Sequence, residues 1–168
     1  MSVRRVVGLV TLATLSACTL EQRLENGEIR DAQEEAPGHR QIIQPDGVAR
    51  LPVFSSAVRT GDLLFLSGQL GALPGVMPPQ LIEGGAQAET RQTMENIITV
   101  LEAAGLGLED VVKCTVFLAD IADYGAVNEV YATFFPSEPP ARSAIAGSGL
   151  ALGAQVEIEC IAAFPPGR

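Results

Sequence analysis

A chain of 168 residues with 47% hydrophobic and 18% charged side chains holds enough apolar material for one compact domain plus an appendage. Its 20 Asp and Glu outnumber its 11 Lys and Arg, for a net charge of −9. That balance disfavours RNA or DNA as a partner, because phosphate backbones are gripped by clustered cations.

At the N-terminus, Arg4 and Arg5 precede an apolar run from Val6 to Leu15, which closes on Leu15-Ser16-Ala17-Cys18. A basic start, a short apolar stretch and small residues before a cut predict an export signal over residues 1–17. About ten apolar residues cannot span a hydrocarbon core that needs about twenty. Leu-Ser-Ala-Cys resembles the lipobox of bacterial lipoproteins, which implies lipidation of Cys18 and a membrane anchor made of acyl chains. With Thr19 rather than aspartate next in line, the resemblance implies the periplasmic face of the outer membrane.

Residues 18–47 follow as a polar, acidic stretch with little to pack, read as a flexible tether. The lone His39 falls in it and lacks a scaffold for catalysis.

The folded domain is expected over 48–168. Val53 to Val58 and Leu63 to Leu66 predict a hairpin across Arg59-Thr60-Gly61-Asp62. Leu70 to Gly85, rich in Gly and Pro, predicts a loop. Met94, Ile97, Ile98 and Leu101 recur at helical spacing within Ala86 to Ala104, with Glu89, Arg91 and Glu95 on other faces and Gly105 as the stop. Val111 to Leu118 predicts a central strand. A second helix is expected from an Asp123 cap to Phe135, burying Tyr124, Val127, Tyr131 and Phe134. Strands over about Ala141 to Gly147 and Gln155 to Phe164 complete a β-β-α-β-α-β-β order. It implies an α+β sandwich with two helices on one face of a mixed sheet. The uncovered face then calls for a partner copy.

Two charged residues stand out in the last two strands. Arg142 follows Pro139-Pro140, and Glu157 sits among Val156, Ile158, Cys160 and Ile161. A charge in so apolar a strand must be paired, exposed or functional. Arginine suits bidentate capture of a carboxylate and glutamate suits proton abstraction from water. An ion pair of Arg142 with Glu157 or Glu159 is the competing reading, and Glu159 shares the side-chain parity of Glu157.

Several segments in order resemble the RidA (YjgF, reactive intermediate deaminase) family. They are Phe65-Leu66-Ser67-Gly68-Gln69, Thr90-Arg91-Gln92-Thr93-Met94-Glu95-Asn96-Ile97, Ala103-Ala104-Gly105, Asp110-Val111-Val112-Lys113, Val127-Asn128-Glu129-Val130-Tyr131, Pro140-Ala141-Arg142-Ser143 and Val156-Glu157-Ile158-Glu159. The likeness runs from about Pro52 to Phe164. It implies a chorismate-mutase-like fold and a homotrimer with a central barrel and ligand clefts between subunits. The implied activity is hydrolysis of enamines and imines of the 2-aminoacrylate type to 2-oxo acids and ammonia, with no metal or organic cofactor. Arg142 then grips the substrate carboxylate, Glu157 activates water, and Phe54, Ser67 and Asn128 line the cleft.

Two positions depart from the family pattern. Phe54 stands where many members carry tyrosine, losing a hydroxyl bond worth about 0.5–1.5 kcal/mol. Ala144 replaces a cysteine found in some members. Cys114 and Cys160, in predicted strands, are expected as buried thiols rather than a bridge. The alternative function is a non-catalytic module that binds a carboxylate metabolite or a protein on the same fold.

Overall fold

In a computed structural model of the chain, residues 40–48 and 51–167 are described. The expected export signal, Cys18 and His39 lie outside them.

The hairpin forms between β2 (Ala57–Thr60) and β3 (Leu63–Leu66), with Gly61 at φ 56 opening the two-residue turn. Phe54 therefore precedes the strand instead of lying in it. Residues Gln41–Ile43, expected at the end of the tether, form strand β1 and pair with β2 in antiparallel register. After β4 (Gln69–Leu70) come helix α1 (Gly85–Ala103), strand β5 (Val111–Leu118), helix α2 (Tyr124–Phe134), strand β6 (Ala141–Ala146) and strand β7 (Val156–Ala163). The sheet runs β1-β2-β3-β7-β5-β6, with β4 also pairing to β7. Only β5 and β6 run parallel among these pairings, joined by α2 as a crossover.

Helix α1 packs on β7 and β4, and α2 packs on α1. Its apolar stripe is inside as the spacing predicts: Met94, Ile97 and Leu101 are fully buried against Leu64, Val116 and Ile158. Each such burial contributes about 1.5–3 kcal/mol. The polar residues of α1 are less conventional. Glu89, expected on a wet face, is buried, and its Oε2 accepts the backbone N–H of Gln155 at 2.8 Å. Asn96 donates to the carbonyls of both Leu70 and Ala72 at 2.9 Å, pinning the start of the Gly/Pro-rich loop to the helix. Gly71 fits only because it has no side chain, since a Cβ there would lie 2.8 Å from the Glu89 Cα.

Two expectations for the second helix are corrected. Asp123 makes no capping bond; Asp120 instead accepts from Ala122 N–H at 2.9 Å and caps the short 3-10 turn Ile121–Asp123. Tyr124 is 41% exposed, unlike Val127 and Tyr131, which are buried. Tyr124 is the first residue of α2 and meets Arg142 of the edge strand β6, outside the core stripe. The cysteines also differ from expectation: Cys114 and Cys160 form a disulfide. They are directly opposed in the β5–β7 register on the helix-facing side, with Cα atoms 4.1 Å apart, so the strand pairing itself brings them within reach.

The second face of the sheet carries no helix among the described residues. Leu63, Phe65 and Ile145 are exposed there, beside the half-buried Phe117 and Ile161.

Candidate functional site

Strand register decides where the two charged residues go. Arg142 is opposite Cys114 on the parallel β5–β6 pair, so it shares the helix-facing side of the sheet. Glu157 is opposite Phe117 on the β5–β7 pair, three residues along β5 from Cys114 and hence on the open side. Strand β5 also lies between β6 and β7. One chain thus does not bring Arg142 and Glu157 together, and the simple cradle between two strands does not exist within it.

Around Arg142 the surroundings are aromatic and polar. Its Nη2 donates to the Tyr124 hydroxyl oxygen at 3.3 Å, and its guanidinium lies 4.8 Å from the Tyr131 ring centroid and 5.8 Å from that of Tyr124. Such stacking holds the plane of the fork while leaving its charge uncompensated. No ion pair reaches Arg142 among the described residues, which excludes the Glu157 and Glu159 pairing within the chain. Asn128 lies one helical turn after Tyr124. The influence of its amide side chain, followed by the charge of Arg142, lowers the Tyr124 pKa below the ordinary tyrosine value. Burial pushes the Tyr131 hydroxyl the other way, up to about 12. Asn128 and Arg142 thus both act on a tyrosine that hydropathy alone assigns to the core. The i, i+4 spacing of Tyr124 and Asn128 is the sequence signal that finds it.

Glu157 occupies a different setting. It is half-buried on β7, and its carboxyl pKa is raised by burial first and by the charge of Glu159 second. A side chain at Gly68 would collide with its carboxylate, so glycine here leaves room for the acid. Ser67, next to it, spends its hydroxyl proton on the Ser55 carbonyl at 2.7 Å, while its N–H donates to the Ser56 carbonyl at 3.0 Å. These bonds tether the segment carrying Phe54 to the end of β3. Phe54 and Gly68 line a cleft of about 460 Å³ whose far wall is the loop from Ala72 to Pro79. Ser67, Phe54, Gly68 and Glu157 thus form one cluster, and Arg142, Asn128 and Tyr124 a second.

Comparison with known proteins matches the chain to a family. The family model described as Endoribonuclease L-PSP covers residues 47–164. Reactive Intermediate Deaminase A, chloroplastic, of Arabidopsis thaliana is 41% identical over 156 residues, covering 93% of this chain and 82% of the relative. The 2-iminobutanoate/2-iminopropanoate deaminase of Rattus norvegicus is 42% identical over 118 residues, covering 70% and 85%. The crystal structure of RidA from an Antarctic Psychrobacter superposes with a TM-score of 0.69 at 41% identity, covering 74% of this chain and 99% of that one. With the mixed sheet, the two helices on one face and the ordered sequence segments all in agreement, the chain belongs to the RidA (YjgF) family.

Proposed function

We propose that the protein is an enamine/imine deaminase that hydrolyses 2-imino acids to 2-oxo acids and ammonia in clefts shared between subunits of a homotrimer. The observation that carries this reading is the unpaired Arg142, stacked on tyrosine and open to an anion, in a chain whose acid Glu157 lies on the other sheet face. The two groups meet only if a second copy supplies one of them. The exposed Leu63, Phe65 and Ile145 offer the apolar surface on which copies would pack. Relatives 41% and 42% identical are named as deaminases, which supports the chemistry.

In this mechanism Arg142 binds the substrate carboxylate through its fork and places C2 of the imino acid against Glu157 of a neighbouring copy. An enamine first becomes the imine by gaining a proton at C3 and losing one from nitrogen. Glu157 takes a proton from water as the water oxygen bonds to C2, and the C=N electron pair moves to nitrogen. The proton then passes to that nitrogen. As the C–N bond breaks, the carbinol O–H proton passes by way of Glu157 to the nitrogen, the oxygen forms the new carbonyl and ammonia departs. Water and imino acid are consumed one for one, and no redox partner is needed. The raised pKa of Glu157 makes its carboxylate a stronger proton acceptor than an ordinary glutamate.

The family model's description as an endoribonuclease is the less favoured reading, since a net charge of −9 works against a polyanionic substrate. We assign the protein further to the periplasmic face of the outer membrane, held by lipid on Cys18, on the strength of Leu15-Ser16-Ala17-Cys18 and Thr19. Mass spectrometry of the native protein checks this: diacylated or triacylated Cys18 at the mature N-terminus supports it, and an unmodified terminus containing Val3 overturns it.

The activity is tested by generating imino acids in situ and following 2-oxo acid release by the full chain. The expected result is acceleration over the spontaneous rate, lost on the order of 10²–10³-fold in Arg142→Ala through two charge-assisted bonds. A rate no faster than the spontaneous one, with 2-oxo acid still bound through Arg142, would establish the non-catalytic binding module instead.

A further inference from the structure

The Arg142 cluster holds more hydrogen-bond donors than it uses. Arginine can only donate, so its 3.3 Å bond to Tyr124 consumes a lone pair of the phenol oxygen and leaves the phenolic proton free. The Tyr124 proton is therefore left for a third group, and Tyr124 is 41% exposed at the helix start. A second observation points the same way. The Tyr131 hydroxyl is buried without a hydrogen-bond partner, on a residue only 5% exposed whose ring lies beneath the same guanidinium. Arg142 N–H groups, the Tyr124 O–H and the Tyr131 O–H are all donors. A set of donors around an unpaired cation is complementary to a ligand made of acceptors, above all a carboxylate.

We propose that Tyr124 is a substrate-binding residue whose hydroxyl donates to the carboxylate held by Arg142, so that the anion is read by a guanidinium and a phenol together. This rests on the reading of Arg142 as the carboxylate grip. The Arg142 bond holds the Tyr124 oxygen in place before substrate arrives, so little ordering is needed on binding. The contact forms equally in ground and transition states, because the carboxylate keeps its charge throughout hydrolysis. It therefore acts on affinity and not on the chemical step.

The test is Tyr124→Phe in the full chain, which keeps the exposed ring and removes one oxygen. KM for imino-acid hydrolysis and Kd for 2-oxobutanoate, the probe ligand, should each rise about fivefold to tenfold while kcat stays within about twofold. Unchanged KM and Kd, or a fall in kcat with constant KM, would overturn the proposal. Arg142→Ala separates it from the functional reading. If that variant binds 2-oxobutanoate as wild type does, the carboxylate grip fails and Tyr124 fails with it. If Arg142→Ala abolishes binding and Tyr124→Phe leaves it intact, only the Tyr124 contact is wrong.

Discussion

The two halves of the candidate site are built on opposite plans. Arg142 sits on the edge strand β6, held by aromatic rings and by the Tyr124 hydroxyl. Glu157 sits near the middle of the sheet, on β7, with glycine beneath it and a second acid nearby. The first environment leaves a cation uncompensated and rigid. The second makes an anion costly and so keeps a proton close at hand. Keeping them on opposite faces of one sheet prevents the ion pair that would neutralise both, and leaves each free for a ligand until two copies meet.

The sharpest way to break the Glu157 half without touching Arg142 is Gly68→Ala. The added Cβ displaces the carboxylate, and misplacing a catalytic group by about 1 Å costs on the order of 10²-fold in rate. Steady-state kinetics should show kcat falling by that order, while Kd for 2-oxobutanoate stays close to wild type. Loss of binding with constant kcat would show that Gly68 belongs to the substrate grip.

A gentler change alters only the electrostatics of that half. In the proposed mechanism ionised Glu157 is the active form, and its pKa is raised by burial and by Glu159, so activity should fall as pH drops through that raised value. Glu159→Gln removes the like charge and lowers the Glu157 pKa. The acid limb of the pH–rate profile should move to lower pH, with the rate near neutrality little changed. A limb that stays put or moves upward would separate the pH dependence from Glu157.

How much of this was legible in the sequence depended on whether one strand or two had to be read. The helix α1 announces itself in Met94, Ile97 and Leu101, because helical spacing is a property of a single segment. Arg142 and Glu157 announce themselves by residue type. Their separation onto two faces does not, since it follows from pairing through β5, with Cys114 and Phe117 as the partners that fix it. The disulfide depends on the same register and was misread for the same reason. Strand β1 is three residues at the end of a polar stretch, held by pairing with β2, and carries no periodicity of its own. Tyr124 was assigned to the core because its ring counts as apolar in any hydropathy pattern, while its function lies in the hydroxyl.

The central claim is that one productive site takes Arg142 from one chain and Glu157 from another. Co-expression of Arg142→Ala with Glu157→Gln tests it most directly, with each variant alone as reference. Mixed assemblies should regain imino-acid hydrolysis well above either variant, because some interfaces then combine an intact arginine with an intact glutamate. Activity of the mixture no greater than that of the separate variants, in assemblies verified to contain both chains, would contradict the shared site.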